Sequence, residues 1–203
     1  MKKIYQIGAV LLAVMMLTGC QSAKQKVNYT EDELPYGATM KSNKTSYTIP
    51  MTYDRRFVNE DQVRAVADYL GAIQNRDAEL YESVALPLYT TYQVGEVYAY
   101  QDIGELVNAL HDGIASQTAD DFRFQMVLIN EFSLDRNAGG LNAMLSLLDS
   151  ISPENAKFTD SLQNAWALEL EWEFSYNNDE NTGRTESQWL YLMQVDDVYY
   201  CCM

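Results

Sequence analysis

The sequence predicts an α+β protein in which helices come first and long antiparallel strands follow, curled over an apolar layer. Three observations carry this. In the stretch 166–176, WALELEWEFSY, the residues Trp166, Leu168, Leu170, Trp172, Phe174 and Tyr176 take every second position. Ala167, Glu169, Glu171, Glu173 and Ser175 fill the gaps. Alternate side chains of a strand point to opposite faces, so this run has one dry face and one wet, anionic face, as an antiparallel strand with one side in water requires. A second run, FRFQMVLINEFSLD over 122–135, alternates in the same way. Ahead of both, Val63, Val66, Ala67, Leu70 and Ile73 recur at helical spacing and make one apolar stripe.

The chain of 203 residues, 47% of them hydrophobic, is enough for the core of one domain. Its formal charge of −15 repels phosphate backbones, so nucleic acid is excluded as a partner. It equally repels an anionic bilayer, so membrane attachment cannot rest on a basic patch. The front of the chain offers another means. Lys2 and Lys3 precede an apolar stretch, 4–16, of secretory length and too short to span a bilayer well. It ends in Leu17-Thr18-Gly19-Cys20, which resembles the lipobox of bacterial lipoproteins. That resemblance implies a signal peptide over 1–19 and a thioether-linked diacylglycerol on Cys20. It places the protein on the cell membrane, lipid-anchored and facing outside the cytoplasm, since two acyl chains suffice for stable anchoring.

The elements follow in order. Residues 20–46 are polar and without sustained period, and are expected to form a flexible tether, with Leu34-Pro35-Tyr36-Gly37 docking loosely on the domain. The sequons at Asn28 and Asn43 carry no weight in a bacterial lipoprotein. A brief extended segment over 46–51 leads to the first helix. Asn59 and Gln62 have capping-box spacing, and Glu60 and Asp61 suit the positive end of the dipole. A second helix is expected over 77–86, ended by Pro87, and a short strand over 94–100. Asp102 then caps a third helix whose Ile103, Leu106, Val107, Leu110 and Ile114 mark one face. In the strand over 122–134, Asn130 is the only polar residue on the expected dry face. Leu141, Met144, Leu145, Leu148 and Ile151 give a short amphipathic helix, and Ser152-Pro153-Glu154 reads as a further helix start. After the strand 166–176 come a polar turn over 177–184, a strand over 188–195, a tight turn at Asp196-Asp197 and a last strand over 198–203.

This order, with the closing hairpin Trp189-Leu190-Tyr191-Leu192-Met193 and Asp196-Asp197-Val198-Tyr199-Tyr200, resembles the NTF2-like, cystatin-type α+β cone of small secreted lipoproteins. The resemblance covers 59–203 apart from a helical insertion near 139–160. It implies a single domain over 47–203, with a curved antiparallel sheet wrapped around the N-terminal helices and a cup between them.

Fold alone assigns no activity. Members of this superfamily that act as isomerases pair an Asp with a Tyr inside the cup. Here tyrosines abound, but no carboxylate falls on a dry strand face, and no catalytic residue is assigned. Tyr69, Asn130, Trp166, Trp172 and Tyr191 are the residues expected to line the cup. His111 is read as an ordinary helix residue rather than an acid or base. Glu169, Glu171 and Glu173 lie about 7 Å apart along their strand, too far for one small ion to touch all three. They are read as a solvated outer face paired with Arg123 or Arg184. Cys201 and Cys202 point to opposite faces of the last strand and are read as small apolar residues, not as a redox pair or soft-metal site. No metal or cofactor motif is present. The expected role is therefore a non-catalytic module binding a small apolar ligand or an envelope protein. An isomerase or lyase using a cup Asp or Tyr is the competing reading, and a structural protein forming a homodimer through its sheet is a third.

Overall fold

In a computed structural model of the protein, residues 30, 34–43, 45–153 and 156–203 are described. The expected signal peptide, Cys20 and most of the expected tether lie outside them. The chain divides into two units, Met1–Leu34 and Pro35–Met203, and every described helix and strand belongs to the second.

Helix α1 (Glu60–Asn75) begins as its sequence dictates. The Asn59 side chain accepts from the Gln62 N–H at 2.9 Å, and the Gln62 side chain accepts from the Asn59 N–H at 2.9 Å. Two of the donors that a helix start leaves free are thereby satisfied. Val63, Val66, Ala67 and Leu70 are fully buried. Gly71 lets Thr48 and Ile49 lie against the helix, because a Cβ there would fall 2.3 Å from Thr48 Cγ2. Asp77 caps α2 (Ala78–Val84). Pro87 does more than end this helix: α2 stops at Val84, Ala85 bridges to Cys201, and Pro87 opens α3 (Pro87–Tyr92). At that position the missing N–H would have had no helical partner. Helix α3 passes into a π-helical turn over Gln93–Val97, so the strand expected over 94–100 is not formed. Local bonds win there: the Tyr98 and Tyr100 N–H groups bond the carbonyls of Gln93 and Val94 at 3.0 and 2.8 Å. Asp102 caps α4 (Ile103–Ala115), as expected.

Among the described residues, six strands form one curved sheet in sequence order: β1 (Met40–Asn43), β2 (Met51–Asp54), β3 (Arg123–Ser133), β4 (Leu162–Tyr176), β5 (Asn181–Val195) and β6 (Val198–Cys202). All neighbours are antiparallel except β2 and β3, which run parallel, so the sheet is mixed rather than purely antiparallel. Strand β1 lies inside the expected tether, and the folded unit therefore starts earlier than residue 47. It is held there by Asp54, whose carboxylate accepts from the Gly37 N–H at 2.9 Å and from Thr39 Oγ1 at 2.7 Å. The Asp196–Asp197 turn has both residues at positive φ, 50° and 63°, the hairpin geometry that matches strand twist.

Strand β4 is as the alternation requires. Trp166, Leu168, Leu170, Trp172 and Phe174 are buried toward α1, and Glu169, Glu171 and Glu173 lie on the other face. Strand β3 departs from simple alternation. Two register shifts, between Phe124 and Met126 and between Ile129 and Glu131, each insert one extra residue. The inward set becomes Phe122, Phe124, Val127 and Ile129, and Asn130 is exposed.

The sheet carries apolar layers on both faces. Helix α1 and the residues facing it make the main core. On the opposite face α5 (Leu141–Ile151) and the single turn α6 (Phe158–Ser161) cover Ala167, Met193 and Cys202. Ala167 is therefore fully buried although it belongs to the face expected to be wet. Ser152 ends α5, its hydroxyl donating to the Leu148 carbonyl at 2.8 Å, and the next helix starts at Phe158 instead of at Pro153.

Candidate ligand-binding site

Leu70 and Ile73 on α1 face Leu110, Gly113 and Ile114 on α4 across a cavity of about 240 Å³. Trp172 and Phe174 of β4 and Thr185 and Gln188 of β5 form the wall opposite, with Met203, Gln117 and Thr118 also lining it. The lining is mainly apolar, with polar side chains from Gln, Thr and Trp and no ionisable side chain among the lining residues. A cavity of about 150 Å³ holds one benzene, so this one suits a molecule somewhat larger than a single ring.

The wall owes its composition to a bulge. Leu170 pairs with Gln188 and Trp172 with Thr185, so β5 advances three residues while β4 advances two. Thr185 and Gln188 both line the cavity, which regular alternation would forbid for residues three apart. Trp172 and Thr185 stand directly opposite each other on neighbouring strands. Trp172 Nε1 and Thr185 Oγ1 are buried and have no hydrogen-bond partner among the described residues. Trp172 also meets Phe124 edge to face, with ring centroids 5.4 Å apart, which fixes the indole plane.

Of the five residues expected to line a cup, only Trp172 does so. Trp166 lies on the same face but further along β4, stacked on Phe132 at 5.5 Å. Tyr69 sits in the core, its hydroxyl 3.3 Å from that of Tyr81, and burial pushes its pKa well up. Asn130 is turned to solvent by the β3 bulges. Tyr191 faces the outer layer, where its hydroxyl donates to the Gly139 carbonyl at 2.6 Å. The cavity residues missed in the sequence, Thr185 and Gln188, fall in a polar stretch whose register a single bulge decides. Leu110 and Ile114 were signalled by the stripe on α4.

His111, the glutamates of β4 and the two cysteines are not among the residues that line the cavity. His111 is buried, with Nδ1 3.1 Å from the Ile73 carbonyl and Nε2 3.2 Å from that of Asp120, so it ties α1 and α4 to the start of β3. With Asp112 and Asp120 it forms a cluster of metal-ligand types. The Arg76 guanidinium already bonds both carboxylates, at 2.9 and 2.5 Å. On the outer face Arg184 pairs with Glu171 and lies 3.9 Å from Glu173, as expected of a solvated surface, and the bond to Arg184 lowers the Glu171 pKa. Cys201 and Cys202 are free and buried on opposite faces, and burial raises both thiols. A larger hollow of about 710 Å³ near Ala78, Val94 and Ile103 is more open, with exposed Glu79 and Glu82 on its walls.

Fold and site together define an α+β module with an apolar pocket between two helices and the concave face of a sheet. Compared with family models, with curated proteins and with solved structures, the chain matches none.

Proposed function

We propose that this protein is a lipid-anchored module of the cell envelope, built on an NTF2-like cone, that holds a small apolar molecule in the cavity between α1, α4 and the sheet. The observation that carries the reading is the cavity itself: a mainly apolar space lined with a few polar groups is the usual form of a small-molecule site. Its volume, about 240 Å³, lies below the usual range of such sites, about 300–1,000 Å³, and favours a compact ligand. The order of elements and the curved sheet packed on α1 support the cone. The Leu17-Thr18-Gly19-Cys20 motif supports the anchor and the location outside the cytoplasm. An isomerase of this architecture would need a carboxylate beside a tyrosine hydroxyl in the cup, and neither side chain is among the residues that line it. Pairing of two copies through the outer sheet face is disfavoured, because α5 covers one part of that face and Glu169, Glu171, Glu173 and Arg184 occupy another.

Native mass spectrometry of the protein purified from its own host tests both halves of this reading. The expected result is a mass gain at Cys20 from diacylglycerol and a second, non-covalent species of small mass. Absence of the first overturns the anchor, and a protein free of any small molecule overturns the binding role.

A further inference from the structure

We infer that the cavity selects an uncharged apolar ligand bearing a hydrogen-bond acceptor, a carbonyl or ether oxygen, which Trp172 Nε1 and Thr185 Oγ1 bind together. The inference rests on the cavity being a ligand site and adds the chemistry of what fits it. The two residues are cross-strand partners that both line the cavity, and Trp172 Nε1 and Thr185 Oγ1 are both buried without a partner among the described residues. An indole N–H can only donate. Buried donors are nearly always paired, and leaving one unpaired costs free energy that a ligand acceptor would recover. A threonine hydroxyl beside it can donate to the second lone pair of the same oxygen. Charge is disfavoured on both sides of neutrality. No lining side chain could neutralise a buried cation or anion, and a net charge of −15 works against entry of an anion. The apolar remainder of the ligand would lie against Leu70, Leu110, Ile114 and Phe174.

Acetophenone and α-methylstyrene have nearly the same shape and differ in C=O against C=CH₂, so they probe the acceptor alone. Their binding is measured by calorimetry and by the indole N–H resonances of residues 20–203 carrying Cys20→Ser, which retain every described element. Acetophenone is expected to bind about tenfold more tightly, the size of effect that one buried donor satisfied or left unmet produces. It should also move the Trp172 indole signal downfield. Trp172→Phe should bring the two affinities together, and Thr185→Val, which keeps the shape, should narrow the gap if the tryptophan variant does not fold. Equal affinities for the two probes overturn this inference and leave the cavity reading standing. Binding of neither probe to the folded protein overturns both.

Discussion

Asp54 is fully buried, and what surrounds it explains why the chain ahead of β2 is folded at all. Arg56 donates to it from Nε at 3.0 Å and from Nη2 at 2.7 Å, and the same Nη2 reaches the Pro35 carbonyl at 2.7 Å. The guanidinium holds the Asp54 carboxyl well below the usual carboxylate range. A carboxyl whose folded pKa is depressed contributes stability in full above its unfolded value, about 4, and loses that contribution as the pH falls below it. The urea midpoint is therefore expected to drop steeply between pH 5 and pH 2. Asp54→Asn, which removes the buried negative charge that the Arg56 guanidinium pairs with, is expected to cost about 3–5 kcal/mol at pH 7 and to flatten that acid slope. A midpoint unchanged in the variant would contradict this role. None of it is legible in the sequence, where Asp54-Arg55-Arg56 reads as a charged run and gives no sign that one member is enclosed. Trp172, by contrast, is legible: it is one of a row of large residues at alternate positions, and the row folded as a strand must bury it.

Strands with strict alternation are read correctly, and strands with continuous apolar runs are not. In β4 every inward position carries a large residue and the outward glutamates fix the parity, so only one face can be dry. In β3 the run Met126-Val127-Leu128-Ile129 is apolar at every position, so the sequence gives no parity there and the bulges on either side reset it unseen. This is why Asn130 emerges on the outside. Helices α1 and α4 read well because capping residues and stripes agree, and α5 shows what a stripe leaves unsaid. Its period announces an apolar face but not the surface it covers, which is the outer side of the sheet. Leu148, fully buried in that second layer, offers the test. Leu148→Ala is expected to lower stability by about 2–5 kcal/mol in equilibrium denaturation, the usual loss for a buried leucine. A change below about 0.5 kcal/mol, typical of surface positions, would mean that α5 is not packed as described.

For the whole molecule, a sheet curved over α1 cannot be filled evenly along its length by one helix. The cavity lies near the C-terminal end of α1, where Leu70 and Ile73 face α4 on one side and Trp172, Phe174, Thr185 and Gln188 of β4 and β5 on the other. The α+β class was legible because the period changes from helical to alternating along the chain. The pocket was not, because its walls join α1 and α4 to the β4–β5 hairpin far along the chain, and one wall depends on a bulge. The account stands or falls on that space being open to an apolar guest. Diffraction from a crystal of the folded unit pressurised with xenon measures it directly, since apolar cavities of this size take up the gas. A xenon peak bounded by Leu70, Leu110, Ile114, Trp172 and Phe174 is the result expected. Side chains closing over that space, with xenon bound elsewhere or not at all, would contradict it.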